Sequence, residues 1–219
     1  LGTVESPQHQ EPVQVLVEKE AVPVEAEPEV VAIIEEPQEE PLPRTVLLVG
    51  SSSMRSSMGA ALSKLLKNSA KVEVHRHARI GTGLARPDVY DWNRITQDLI
   101  DEHQPDLVVA QFIGNDCQSL VNEDLSVEAL LGSQKWDTAY QGRIRDFVTS
   151  IQDQGVEVAL IGMPIVRSRR FQRRLANANQ LVSEVAEEKD ILFIPIWEAT
   201  ADASGSYQDS IRLDGRTLK

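Results

Sequence analysis

The sequence holds a single cysteine, Cys117, among its 219 residues, so no disulfide can form within the chain. It also lacks an unbroken apolar run of about 18 residues, the length a transmembrane helix requires, and no segment reads as a membrane span. Bases are not gathered as a nucleic-acid partner would need. Residues 1–44 carry 11 Glu against Lys19 and Arg44, while the remainder holds 23 acids against 20 bases. The net charge of −12 therefore sits mostly in the N-terminal stretch. The nearly balanced remainder argues against a nucleic-acid partner, since counterion release depends on an excess of clustered cations. The chain opens Leu-Gly rather than Met, and we expect it to be part of a longer protein, any signal peptide or anchor lying upstream.

What is present divides at Arg44. Residues 1–43 hold 7 of the 11 prolines, interleaved with Glu, Val and Gln. Prolines at this density break helices and sheets, and the like charges repel, so 1–43 is expected to be a disordered acidic linker. Residues 44–219 alternate strand and helix patterns. The apolar run ending at Gly50 meets three serines, and a stripe of Met58, Leu62 and Leu65 follows: a buried strand, a tight turn and a helix start. Residues 71–77 alternate Val72 and Val74 with charge, a second strand. Asp91 is placed to cap a helix running to about residue 104. Residues 106–113 form a strongly apolar strand. Tyr140, Ile144, Phe147 and Ile151 recur at helical spacing, with Gly155 as the stop. Residues 156–162 and 191–196 read as the fourth and fifth strands, separated by a helix with Phe171, Leu175, Ala178, Val182 and Val185 on one stripe. Residues 197–219 are polar, with turn signals and no closing helix.

Apolar strands alternating with helices predict a parallel sheet covered on both faces. The expected architecture is a flavodoxin-like three-layer α/β/α sandwich. In such a sheet ligands sit outside the carboxyl ends of the strands. Three of those ends carry suggestive chemistry. The first brings Ser51, Ser52 and Ser53; the second Gly81 and Gly83; the third Asn115 and Asp116. Acyl transfer needs a nucleophile together with donors aimed at the oxyanion that forms. A serine at a strand-to-helix turn, a backbone N–H from a glycine loop and an asparagine amide meet those two needs. Each has a plainer reading: the serines as a helix cap, the glycines as a turn, Asn-Asp as an Asx-turn. The serine-rich turn could equally cradle a phosphate, which would leave the glycine loop and Asn-Asp without a role.

The same residues resemble the SGNH, or GDSL-type, hydrolase superfamily, and within it a branch of exported bacterial proteins. Gly50-Ser51-Ser52-Ser53-Met54 is similar to the Gly-Asp-Ser-Leu block, with Ser52 in the nucleophile's place and Gly59 and Leu62 where that branch has a glycine and a leucine. The run from Gly81 to Asp88, with Asp91-Trp92, resembles the second block; the oxyanion glycine it implies is Gly81, with Gly83 as the alternative. Gly114-Asn115-Asp116 resembles the third, with Asn115 donating its amide. Gly162-Met163-Pro164, Arg170-Phe171 and Asn179 resemble later segments. The resemblance implies an esterase or acyltransferase that needs no metal or organic cofactor. Its substrate would be an acylated carbohydrate of the cell envelope or another small ester. It also implies a periplasmic or otherwise extracytoplasmic location, with a membrane reached only through an anchor upstream of residue 1.

Three departures stand out. Ser51 replaces the usual aspartate, and Ile113 replaces the first glycine of the third block. The fourth block, Asp-x-x-His, is absent: the histidines are His9, His75, His77 and His103, all before the fifth strand. A serine without its base loses on the order of 10⁴-fold or more in rate. Two explanations follow. Either the domain continues beyond Lys219 and the histidine lies there, or the chain is a non-catalytic glycan-binding module on the same fold.

Arg167, Arg169, Arg170, Arg173 and Arg174 place five bases in eight residues after the fourth strand. They read either as a solvated helix face or as a binding surface for a carboxylate or anionic polymer, with Arg167, Arg169 and Arg170 nearest the rim. Trp92 and Trp136 read as core, although either ring could stack on a sugar. Cys117 has no base beside it and reads as an inert small residue.

Overall fold

In the computed structural model of the chain, residues 44–70, 72–213 and 216–218 are described; the expected linker, residues 1–43, lies outside them. The first strand, β1 (Thr45–Gly50), is buried along nearly its whole length. Its residues serve both faces of the sheet in turn, as the two-residue period of a strand requires. Val46 and Leu48 join Met54, Val74, Val109 and Ile161 on one side. Leu47 and Val49 join Trp92, Phe112 and Phe147 on the other. Two short helices follow, α1 (Ser52–Arg55) and α2 (Ser57–Leu65), then a π-helical turn over Leu66–Ala70. Next come β2 (Glu73–Ala78), α3 (Trp92–His103), β3 (Leu107–Gln111) and the single turn α4 (Ile113–Asp116). A small hairpin of β4 (Leu120–Val121) and β5 (Val127–Ala129) leads to α5 (Gln134–Gln152). The chain continues through β6 (Glu157–Ile161), α6 (Arg169–Glu188), β7 (Leu192–Ile194) and α7 (Trp197–Thr200). A second hairpin closes it, β8 (Ile211–Leu213) with β9 (Arg216–Leu218).

The five long-range strands pair in the order β2-β1-β3-β6-β7, all parallel. This is the flavodoxin-like order expected from the sequence. The chain leaves β1 to one side for β2 and then crosses back to place β3 on the other. The crevice at such a switch opens above the carboxyl ends of β1 and β3. Asp106 registers the opposite ends: its Oδ2 accepts the N–H groups of Arg44 and Thr45, each at 2.8 Å. These bonds hold its carboxyl below the ordinary carboxylate range.

The helices follow local rules. The Asp91 side chain caps α3 by accepting the Arg94 N–H, and Ser133 and Ser168 cap α5 and α6 in the same way. The stripe of Tyr140, Ile144, Phe147 and Ile151 is at most 1% exposed, and Gly155 takes φ +74° past the end of α5. Leu175, Ala178, Val182 and Val185 of α6 are buried.

Three local expectations are corrected. The helix after β1 is not continuous: it breaks at Ser56 (φ −94°, ψ −143°). Gly59 then packs so tightly on the first turn that a Cβ there would lie 2.1 Å from the Met54 carbonyl oxygen. Within α2 and the turn after it, Met58, Leu62 and Leu66 pack inward at four-residue spacing, while Leu65 is 62% exposed. The third strand ends at Gln111 rather than residue 113, because residues 113–116 wind into α4. The segment after β7 is polar, as expected, but it is ordered into α7, an Ala201–Tyr207 bridge and the second hairpin.

Candidate active site

The three serines after β1 take three different roles. Gly50 adopts φ +152°, and a Cβ there would meet the Gln111 carbonyl oxygen at 2.4 Å. That close approach lets the Ser51 N–H donate to the same carbonyl at 3.1 Å. Ser51 is buried, and its hydroxyl does not cap α1. Ser53 donates its hydroxyl to Oε1 of Gln111. Ser52 alone is exposed, and its hydroxyl makes no hydrogen bond among the described residues. The helix-cap reading of the serines therefore fails.

Gln111, which sequence reasoning missed, ties the edge together. It is 2% exposed at the end of an otherwise apolar strand. Its carbonyl receives Ser51, its Oε1 receives Ser53, and its Nε2 donates to the Gly162 carbonyl at 2.6 Å. One amide thus links the ends of β1, β3 and β6. A lone glutamine inside the run Val108-Val109-Ala110-Gln111-Phe112 was the available signal, since a buried amide needs partners.

The connection after β2 is held at the end of β1 by the Arg79 N–H, which donates to the Gly50 carbonyl at 3.0 Å. Thr82 braces it, donating to the Arg79 carbonyl at 2.8 Å and accepting the Trp92 indole N–H at 3.1 Å. The two candidate glycines differ sharply. Gly81 is exposed with φ +77°, and no atom stands within 4 Å of where its Cβ would be. Gly83 is buried, and a Cβ there would lie 2.2 Å from Oδ1 of Asp116. Gly83 is needed for packing, whereas Gly81 faces open space.

Asn115 sits in α4, four residues beyond Gln111. Its backbone is fixed: its N–H donates to the Phe112 carbonyl at 3.0 Å, and its carbonyl accepts the Gln118 amide at 2.6 Å. Its own side-chain amide has no hydrogen-bond partner among the described residues. Asp116 beside it is wholly buried. It accepts the Ala85 N–H at 2.8 Å and the Tyr140 hydroxyl at 2.9 Å. Burial pushes its carboxyl up to about 7, partly offset by those two bonds and by the charge of Arg143. Asp116 therefore fastens the glycine loop to α4. Arg143 adds a second clasp, donating to the carbonyls of Leu84 at 2.8 Å and Val121 at 3.0 Å while pairing with Glu128 at 2.6 Å.

Ser52, Gly81 and Asn115 thus lie just past the ends of β1, β2 and β3, three adjacent strands in which Gly50 pairs with both Ala78 and Gln111. A hollow of about 470 Å³ lined by Arg55, His77, Arg79, Ile80 and Tyr90 joins α1 to the glycine loop. A larger cavity of about 600 Å³ lies behind that loop, lined in part by Leu84, Asn93, Glu128 and Arg143; it includes none of the three candidate residues.

Each histidine among the described residues is engaged with a neighbouring ring or hydroxyl. His75 and His103 stack at 3.9 Å. His77 shares a hydrogen bond of 2.6 Å with the Tyr90 hydroxyl, and burial, then the Arg79 charge, hold its pKa below the usual histidine value. Cys117 is buried, and burial followed by the charge of Asp116 pushes its thiol up to about 12. Trp92 and Trp136 are core residues at 1% exposure each. Among the described residues no group of three or more His, Cys, Asp or Glu is gathered as a metal site would need, and no helix is long and apolar enough to cross a membrane.

The arginines divide. Arg167, Arg169 and Arg173 line a cavity of about 540 Å³ with Trp197 and Tyr207, whereas Arg170 is not among its lining residues. Asn179 holds this end of α6 to the loop after β6, accepting the Met163 N–H at 2.8 Å and donating to the Met163 carbonyl at 3.0 Å.

A parallel five-stranded sheet packed between helices, with a serine, a glycine loop and an Asn-Asp turn at three consecutive strand ends, makes this an α/β sandwich, a fold that G-D-S-L-type proteins share. Solved structures that share this fold include a G-D-S-L family protein from Desulfitobacterium hafniense DCB-2, at TM-score 0.55 and 15% identity over 76% of this chain and 85% of that one. A catalytic mutant of Axe2, an acetylxylan esterase from Geobacillus stearothermophilus, superposes at 0.53 with 14% identity over 76% and 87% of the two chains. LAE5, an alpha/beta hydrolase from the metagenome of Lake Arreo, Spain, gives 0.53 and 13% over 76% and 88%. No curated protein matches the sequence. Residues 45–219 match the family described as protein of unknown function (DUF459), and the chain belongs to that family.

Proposed function

We propose that this protein is a serine esterase or acyltransferase of the SGNH type. The observation that carries the reading is the separation of roles among the three serines, which leaves the Ser52 hydroxyl alone exposed and uncommitted at the β1 edge. In this reading Ser52 Oγ attacks the acyl carbonyl and an ester forms to the enzyme. The alcohol leaves with the proton, and water or an acceptor hydroxyl then takes the acyl group. The Ser52 N–H, the Gly81 N–H and the Asn115 amide hold the oxyanion, which is where preorganised donors act most strongly. Gly81 fits this role better than Gly83, whose missing side chain is used to approach Asp116.

No histidine follows His103 in the sequence, so none stands after β7, where the SGNH resemblance places the general base. The substrate we propose is an acyl group on a cell-envelope glycan, met outside the cytoplasm. Axe2, which shares the fold, is an esterase of an acetylated polysaccharide, in keeping with that choice. The test is turnover of p-nitrophenyl acetate and of acetylated oligosaccharides by the full-length protein. Ser52→Ala is expected to lower kcat by 10³-fold or more and Asn115→Ala by about 10²-fold. The absence of Asp-x-x-His favours a second reading, a glycan-binding module without catalysis. Full-length protein with no ester turnover, and glycan binding indifferent to Ser52→Ala, would establish that alternative.

A further inference from the structure

Where α6 begins, the chain carries more positive charge than it neutralises. Arg167 is satisfied: its guanidinium pairs with Asp209 and lies over the Tyr207 ring at 5.6 Å. Arg169 and Arg173, one helical turn apart, are both exposed and have no acidic partner among the described residues. They share their cavity of about 540 Å³ with the Gln172 amide and the rings of Trp197 and Tyr207, a volume that suits a small ligand. The cavity stands on the same sheet edge as Ser52. The loop after β6 abuts α4, since a Cβ on Gly114 would lie 2.9 Å from the Met163 methyl group.

We propose that this cavity binds a carboxylate-bearing saccharide. Two guanidinium groups without acid partners call for an anion, and their planar forks match a carboxylate bidentately. Trp197 and Tyr207 supply amphipathic ring faces for the apolar face of a sugar. A neutral sugar would leave the guanidiniums unmatched, and a bare inorganic anion would leave the rings unused. A long polyanion such as nucleic acid is disfavoured because residues 45–219 as a whole hold 23 acids against 20 bases. The cavity names an acidic glycan as the substrate class of the proposed esterase and to that extent rests on that reading. Binding itself does not require the Ser52 chemistry.

The test uses tryptophan fluorescence of the full-length protein. Of the three tryptophans in these 219 residues, Trp92 and Trp136 are each 1% exposed, whereas Trp197 lines the cavity, so the part of the signal removed by Trp197→Phe reports on it. Trigalacturonate is titrated beside neutral xylotriose and sodium sulfate. We expect a saturable change with trigalacturonate and none of comparable affinity with the other two. The change should disappear in Trp197→Phe. It should weaken about tenfold or more in Arg169→Gln/Arg173→Gln, as the loss of charge-assisted contacts requires. It should be kept in Arg170→Gln and in Ser52→Ala. Equal binding of xylotriose or sulfate, no saturable change with trigalacturonate, or an unchanged affinity in the folded double variant would overturn the proposal. Because Ser52→Ala tests only the ester chemistry, failure of that reading and failure of this one remain separable.

Discussion

Asp116 is the residue whose surroundings most alter its chemistry. Its carboxyl ordinarily ionises near 3.8, and burial between the Ala85 N–H and the Tyr140 hydroxyl pushes it up to about 7. Between those values the folded chain holds a proton that the unfolded chain has released. Its contribution to stability is therefore complete below about pH 4 and is lost as pH rises to about 7. Asp116→Asn keeps an acceptor for Ala85 and offers a donor to the Tyr140 oxygen without titrating. In urea melts, the stability of the wild type relative to this variant is expected to fall from pH 4 to pH 7 and level off above. A constant difference across that range would contradict the assignment. Residue-scale roles of this kind were only partly legible in the sequence. Asp116 was visible as part of a motif, but not as the buried link between two strand ends. Gln111 and Arg143 were not singled out, because their side-chain partners lie as far as 58 and 59 residues away and leave no local pattern.

At the scale of elements, the glycine loop and α4 form one assembly because Gly83 meets Asp116 without a side chain between them. Gly83→Ala would set a methyl group 2.2 Å from Oδ1 of a carboxylate already held by two hydrogen bonds. It is expected to cost about 2–3 kcal/mol in a denaturant melt, the scale of overpacking. Gly81→Ala meets nothing within 4 Å but must hold φ +77°, and should cost about 1 kcal/mol. Equal losses for the two would mean that Gly83 has no special contact. Most elements were readable from periodicity: the α5 stripe and the Asp91 cap follow from spacing and residue type. The helix after β1 was not readable in full. It breaks where Gly59 nests against Met54, a close approach with no local sequence signal, and Leu66 rather than Leu65 turns inward.

Across the described domain, the order β2-β1-β3-β6-β7 follows from alternating apolar strands and right-handed crossovers. That topology carries Ser52, Gly81 and Asn115 to neighbouring strand ends. The sequence alone could indicate which strand ends bear chemistry. It could not show which serine is free, because Ser51 is buried with its backbone N–H on the Gln111 carbonyl and the Ser53 hydroxyl is bonded to the side chain of the same distant residue. The central claim is that Ser52 is a nucleophile, and covalent capture tests it most directly. The full-length protein is exposed to a fluorophosphonate probe, and the modified peptide is located by mass spectrometry. The account predicts a single adduct on Ser52 that is absent from Ser52→Ala and retained in Ser51→Ala. Folded full-length protein that takes no label, or a label of equal strength in Ser52→Ala, would contradict it.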